Sequence, residues 1–427
     1  MSDRSAGSTP VTDPQGRASD AARTSYGRLL AVLASSTGDI AGAEDALADA
    51  FERALTRWPV DGVPRNPDGW LLTVARNRLR DGWKSAATST SVPLEPQSHE
   101  RGLLDDVDPD AIGDRRLELL LVCAHPDIDP AVHTPLMLDV VLGFTAKQIA
   151  AAFDVPAPTV AARLGRAKKR IRESRIPFEI PDRTQLPARI DAVLNAIYGA
   201  YAIDWPTAGT QVRDGLAEES LYLADTVAAM MPDDAEAHGL AALIGLSTAR
   251  LRARFDGDGR LIPLAEQDTA RWNTTLIERA DDHLRRAHAL RTLGRFQLEA
   301  AIQSVHCARR FTSTTDWHTL RALHETLQTL APTNGGAVSL AAVVAEIDGA
   351  GAGLAVLDTL NAPRFQPAWA TRAHLLAKQG AFDEAVVAYD KAISLTTDIP
   401  SRRYLEDKRN ALATSVGDER DPEHSRR

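Results

Sequence analysis

Apolar residues recur at three- and four-residue spacing along almost the whole chain. Apolar–polar alternation never lasts more than a few residues, so the pattern predicts an all-α fold. Its clearest passage is residues 134–175. Leu136, Leu138, Val140, Val141 and Leu142 predict a short apolar helix that Gly143 stops. Thr145 and Gln148 then stand in capping-box spacing, and Ile149, Ala150 and Phe153 are expected to give the next helix its buried face. Asp154, Val155 and Pro156 make a tight turn. Pro158 falls in the first turn of a further helix, where its missing N–H costs nothing. In that helix Val160, Leu164, Ala167 and Ile171 form one apolar stripe, with Thr159, Arg163, Arg166, Lys168, Lys169, Arg170 and Arg172 expected on the opposite face. A short helix, a three-residue turn and a basic second helix are the layout of a helix-turn-helix, which enters a major groove by the start of its second helix.

Upstream, residues 23–84 read as three helices. Tyr26, Leu29, Leu30, Leu33 and Ala34 stripe the first, and Gly38 breaks it. Asp39 can cap the second, which turns Ala43, Ala46, Leu47, Ala50, Phe51, Ala54 and Leu55 inward and starts acidic. Residues 59–69 are a Pro-, Gly- and Asn-rich loop. The third helix, from Trp70 to Lys84, buries Leu71, Leu72, Val74, Ala75 and Leu79 and turns Arg76, Asn77, Arg78, Arg80 and Lys84 mostly outward. Residues 1–22 lack an apolar core and read as a disordered arm rather than a secretory signal. Residues 85–114 are an acidic, flexible linker. Residues 115–178 then form the unit that ends in the helix-turn-helix.

Beyond residue 185 one amphipathic helix follows another to about residue 413, ahead of a disordered tail at 414–427. Turns are expected at 206–209, 232–234, 256–259, 332–336, 349–353 and 363–367. Residues 368–396 fit the tetratricopeptide pattern, with Trp369, Leu376, Gly380, Ala385, Tyr389 and Ala392 in the expected slots, and residues 337–360 are a looser copy. Stacked pairs of this kind make a continuous concave surface that ordinarily binds protein or peptide.

Composition adds one sharp fact. The chain has 427 residues and a formal net charge of -9, yet residues 157–175 hold seven Lys or Arg and one Glu. A local excess of +6 on an acidic chain is the footprint of a polyanion partner. Trp70 and Trp83 flank a second basic surface, an arrangement that suits single-stranded DNA, although both rings could equally fill a core. Two cysteines, Cys123 and Cys307, stand far apart and without metal spacing, so a reducing cytoplasm is expected. No apolar run reaches the ~20 residues of a membrane span. Asp256-Gly257-Asp258-Gly259 has the start of a calcium loop without its Glu and reads as a plain turn. His125 and His133 near Cys123 lie on a bent connector, and His283, His288, His306, His318 and His324 are scattered, so no metal site, cofactor or enzymatic constellation is expected. Gln267, Asp268, Arg271 and Trp272 are expected to tie two helix pairs together.

Five passages carry a resemblance: GDIAGAEDALADAFERALTRW (38–58), NPDGWLLTVARNRLRDGWK (66–84), CAHPDIDP (123–130), LGFTAKQIAAAFDVPAPTVAARLGRAKKRI (142–171) and IPF (176–178). In these the first ~180 residues resemble an extracytoplasmic-function (ECF) sigma factor of the sigma-70 family. The rest looks like the tetratricopeptide-like extension of one subgroup. The resemblance implies regions 2 and 4 of such a factor, core RNA polymerase (its β′ and β subunits) and promoter DNA as partners, and no cofactor. Asp39, Glu44, Asp45, Asp49 and Phe51 would dock on polymerase. Arg65, Asn66, Trp70, Arg76, Asn77, Arg80, Asp81, Trp83 and Lys84 would hold the melted −10 strand, although the loop VDGVPRNPD lacks the aromatic residue common there. Thr159, Ala162, Arg163, Arg166, Lys169 and Arg170 would read the −35 duplex. The C-terminal domain would contact the sigma domains or a protein or peptide partner. A helix-turn-helix regulator acting without polymerase, and a scaffold with a vestigial DNA-binding end, are the competing readings.

Overall fold

The computed structural model describes residues 14–89, 112–205 and 214–420. Among these are eighteen α-helices and no strand beyond an isolated bridge between Phe255 and Leu261. The chain divides into two compact units, residues 1–200 and 201–427.

The first unit begins with α1 (Pro14–Thr37), α2 (Ile40–Asp61) and α3 (Pro67–Ser89). Helix thus starts at Pro14 and runs on to Ser89, into stretches that composition reads as an arm and as the start of a linker; most of that linker lies outside the described residues. Gly38, at φ 67°, turns the chain between α1 and α2. Leu29, Leu30, Leu33, Ile40, Leu47, Trp58, Leu71 and Leu72 fill the space between the three helices and are fully or almost fully buried. Asp39 occupies the N-cap position of α2, but its side chain makes no cap hydrogen bond. Leu55, expected inward, is 47% exposed: α2 buries Ala54 and Trp58 instead, and the stripe rotates past Leu55.

Next come α4 (Arg116–Cys123), α5 (Pro130–Val140), α6 (Ala146–Phe153) and α7 (Ala157–Glu173). Asp129 caps α5 by accepting from the Ala131 N–H at 3.0 Å, with Pro130 opening the helix. Thr145 and Gln148 close the expected capping box: the Gln148 N–H reaches Thr145 Oγ1 at 3.3 Å, and the Thr145 N–H reaches Gln148 Oε1 at 2.9 Å. Asp154 then takes the left-handed conformation (φ 51°) that an Asp tolerates, and α7 departs in a new direction. Phe153 is 44% exposed rather than buried, because the last turn of α6, residues 151–154, is exposed throughout.

Helices α1 and α2 rest directly on the α4–α7 half. Gly27 makes this approach possible, since a Cβ there would lie 2.0 Å from the Val141 carbonyl oxygen. Arg115 Nη1 donates to Ser35 Oγ at 3.1 Å across the same join. The following helix, α8 (Pro187–Asp204), buries Ile190, Val193, Leu194 and Ile197, and Arg189 donates to the Leu121 carbonyl at 3.1 Å.

In the second unit each helix packs on its sequence neighbours, from α9 (Asp214–Met230) and α10 (Ala235–Thr248) through α11 (Thr274–Ala289), α12 (Arg295–Thr312), α13 (Trp317–Leu330), α14 (Asn334–Asp348), α15 (Ala350–Asp358), α16 (Gln366–Lys378) and α17 (Phe382–Leu395) to α18 (Ile399–Arg420). The last helix therefore runs seven residues into the expected tail. Helix α10 is almost wholly buried. Gly239 lets it touch α12, where a Cβ would meet the Gln297 backbone nitrogen at 2.6 Å. Glu236, also on α10, caps α12 in trans by accepting from the Phe296 and Gln297 N–H groups at 2.9 and 3.0 Å. Small residues likewise close the α16–α17 hairpin: Ala373, Ala385 and Ala392 are fully buried, and Gly380 (φ 80°) makes the turn.

The segment between α10 and α11, which carries Gln267, Asp268, Arg271 and Trp272, is held by α12. Arg309 donates to the Leu264 carbonyl at 2.6 Å and stacks over Trp272, and Arg310 donates to the Thr269 and Trp272 carbonyls. Asp268 caps its short 3-10 turn, whereas Arg271 is exposed. Asp256 Oδ1 accepts from the Asp258 and Arg260 N–H groups, each at 2.9 Å, which makes the Asp-Gly stretch a self-satisfied Asx turn.

Candidate nucleic-acid and polymerase interfaces

Helix α7 is positioned by its own stripe. Val160, Leu164, Ala167 and Ile171 are buried, which turns Ala162, Arg163, Arg166, Lys169 and Arg170 out and leaves Thr159 half-buried. Arg166 Nε donates back to the Ala162 carbonyl at 3.3 Å, and Lys169 lies 3.6 Å from Glu173. The outward face therefore presents four exposed cations, Arg163, Arg166, Lys169 and Arg170, over two turns of helix.

Lys168 does not join them. Its Nζ turns inward, 2.6 Å from Glu44 Oε1 on α2 and 2.6 Å from Asp139 Oδ2 on α5. Burial alone would lower the Lys168 pKa, but the two carboxylates outweigh it and hold the ammonium charged. Glu44 moves up from the ordinary carboxylate range, because burial outweighs the nearby Lys168. Arg172, one turn on, places Nη1 3.3 Å from Asp39 Oδ2. The spacing hints at this for Lys168, which lies four residues after Leu164 and three before Ile171. Asp139 is a lone carboxylate in an apolar run.

The acidic face of α2 is therefore split. Asp39 and Glu44 face α7, whereas Asp45 is exposed, Asp49 pairs with Arg53 at 3.0 Å and Phe51 is half-buried. On α3, Asn66 Oδ1 accepts from the Gly69 N–H at 2.9 Å and fixes the start of the helix. Asp68 accepts from Ser25 at 3.0 Å and pairs with Arg28. Trp70 is half-buried and packs edge-on against Trp58, centroids 5.6 Å apart, so its ring is partly committed to the core. Arg76 is 8% exposed rather than outward, since it shares an inner stripe with Leu72 and Leu79; burial, then Arg80, lowers its pKa. Arg65, Asn77, Arg78 and Asp81 are exposed and Arg80 is half-buried. The side chains of Trp83 and Lys84 lie outside the described residues.

In the second unit a cavity of about 310 Å³ opens between α15 and α16, lined by Leu357, Leu360, Pro363, Trp369 and Arg372. Trp369 Nε1 donates to the Pro363 carbonyl at 3.0 Å, and Arg372 pairs with Asp358 at 2.5 Å. His238, not singled out by the sequence pattern, lies 2.9 Å from His283 between their Nδ1 atoms, and His283 faces Asp225. Among the described residues no group of three or more His, Cys, Asp or Glu is arranged to hold a metal ion. No described helix is long and apolar enough to cross a membrane.

Residues 22–88 match the family described as sigma-70 region 2, and residues 189–288 match a family of unknown function, DUF6596. The uncharacterized protein R00370 of Rhizobium meliloti (strain 1021) is 32% identical over 384 residues, which cover 87% of this chain and 90% of that protein. A protein named as a probable ECF RNA polymerase sigma factor, SigI of Mycobacterium tuberculosis (strains H37Rv and CDC 1551), is 32% identical over 147 residues; the match covers 34% of this chain and half of SigI. No solved structure matches the chain. At that identity across nearly the full length of R00370, the chain belongs to the same protein family as R00370, carrying sigma-70 region 2 near its N-terminal end and DUF6596 further along.

Proposed function

We propose that the chain is an ECF-type sigma factor that binds core RNA polymerase through its β′ and β subunits and directs it to promoters. The observation that carries this reading is the sigma-70 region 2 match at residues 22–88, joined in one unit to a helix with an outward row of cations. In this reading α6, its turn and α7 are the region 4 helix-turn-helix. Thr159, Ala162, Arg163 and Arg166 meet −35 base edges, while Lys169 and Arg170 hold phosphates. Arg65, Asn66, Trp70, Asn77, Arg80, Asp81, Trp83 and Lys84 serve the −10 strand. Arg76 supports it from within. Asp39, Glu44, Asp45, Asp49 and Phe51 serve polymerase. The C-terminal helices act as a tetratricopeptide-like domain that controls the activity; their neighbour-on-neighbour stacking and the groove beside Trp369 suit a peptide or protein partner.

Two substitutions test the DNA assignment. Arg163→Ala loses a base contact worth roughly 1–3 kcal/mol, so binding to the cognate −35 duplex falls while binding to a scrambled duplex barely changes. Lys169→Ala weakens both duplexes alike and reduces the slope of log K against log salt by about 0.9. Equal losses on both duplexes for Arg163→Ala would contradict the reading.

A further inference from the structure

The cavity between α15 and α16 has mostly apolar walls and carries one charge. Leu357, Leu360 and Ala368 line it and also pack in the core cluster shared by α14, α15 and α16, so these walls are fixed. Trp369 adds an indole wall, held in place by the bond from its Nε1–H to the Pro363 carbonyl at 3.0 Å. Arg372 is the one charged side chain in the lining, and exposed Asn361 adds an amide. Arg372 spends Nη2 on Asp358 Oδ1 at 2.5 Å, and its other N–H donors meet no acceptor among the described residues.

We infer that this cavity is a binding site for a small carboxylic acid with an apolar body. The site goes beyond the partner reading of the C-terminal domain and stands independently of the sigma-factor reading. Its volume of about 310 Å³ falls within the range of small-molecule sites, about 300–1,000 Å³. Charge sets the sign of the ligand: a guanidinium lines the cavity and no carboxylate does. The Arg372 side chain is 28% exposed, so water competes only partly for its unspent donors, and a carboxylate there gains charge-assisted hydrogen bonds. Asp358 is 64% exposed, and a pair with so exposed a partner is weak, so Asp358 can share the guanidinium or swing into water. A phosphate fits less well, because one cation among apolar walls leaves its further charge and oxygens without partners. The apolar body of the acid lies against Trp369, Leu357 and Leu360, where burial out of water supplies the rest of the affinity. A compact molecule suits the cavity better than a length of backbone. The carbonyls of Leu357, Ala362 and Pro363 already accept from Leu360, Phe365 and Trp369, so few remain for the N–H groups of an extended peptide.

The test uses the full chain with fluorotryptophan in place of its seven tryptophans, read by fluorine NMR. Trp369→Phe assigns the Trp369 line by its loss. Phenylpropionate is the probe, with phenylpropionamide as its neutral counterpart of the same shape. The Trp369 line of the wild type should shift saturably with phenylpropionate, with a Kd on the order of 1 mM for so small a ligand. The amide should bind about tenfold more weakly, because it loses the charge-assisted bonds. Arg372→Met keeps the apolar stem of the side chain and should bind acid and amide alike. Ala368→Leu fills the cavity and should abolish the shift, with thermal melts checking that both variants remain folded. The comparison of acid with amide on the wild type needs no variant. A Trp369 line that never saturates overturns the site. Equal binding of acid and amide by the wild type, or a preference for the acid that survives in Arg372→Met, overturns the role given to the guanidinium. A short peptide ending in phenylalanine that shifts the line more than about tenfold more tightly than phenylpropionate would make the occupant a chain end and overturn the small acid.

Discussion

Between pH 7 and pH 5 the C-terminal unit should lose about 4 kcal/mol of stability through His306 and His324. Burial pushes His324 down to about 4, and burial with Arg250, His324 and Arg309 nearby pushes His306 down to about 4. His324 is 6% exposed, and its Nδ1 has no hydrogen-bond partner, so a proton there would meet an apolar interior. The folded state binds fewer protons than the unfolded chain, whose histidines titrate near 6.5. Stability is therefore fully present above about pH 6.5 and is lost as pH falls towards 4, with each histidine contributing about 2 kcal/mol by pH 5. His238 and His283 are also lowered by burial and act in the same direction. Thermal melts of the full chain at the two pH values, with hydrogen exchange followed in α12 and α13, measure the loss. His324→Leu keeps the site apolar and should remove about half of it. An acid sensitivity untouched by that substitution would place the titrating groups elsewhere.

Reversing Asp45 and Asp49 to Lys should reduce binding to core polymerase by more than about 100-fold, because like charges set against one another cost several kcal/mol. These are the two acidic residues of α2, among those proposed for polymerase, that α7 does not engage in the free chain. The helix itself should survive: Asp45 is exposed, and the new Lys beside Arg53 at one-turn spacing costs only about 0.5 kcal/mol. A pull-down with core polymerase, alongside helicity by circular dichroism, reads both effects. Retained binding at normal helicity would remove this face of α2 from the interface.

Local chemistry in this chain was legible because it depends on neighbours in sequence. The capping box of Thr145 and Gln148, the turn at Asp154 and the stripe from Val160 to Ile171 all follow from spacing, and the structure shows each of them. Partners distant in sequence were less legible. Lys168 belongs by spacing to either edge of the stripe, and only Glu44, 124 residues away, together with Asp139 decides which. Charge alone places Arg76 outward, whereas its period places it on an inner stripe with Leu72. Apolarity alone places Phe153 inward, yet it sits on a turn of helix that stays exposed. Glycine misled where it serves packing rather than turning. Gly353 lies within α15, and a Cβ there would come 2.6 Å from the Ala341 carbonyl oxygen, so a stretch read as a turn is a close helix crossing.

The central claim, that this chain directs core polymerase to promoters, is tested most directly by transcription from a supercoiled genomic fragment library. Core polymerase is supplied with the full-length chain, and transcript 5′ ends are mapped by sequencing. The account predicts a set of 5′ ends that depends on the chain, shares two upstream elements and disappears with the Asp45→Lys, Asp49→Lys variant. A chain that binds duplex DNA yet creates no new 5′ end with core polymerase would contradict it.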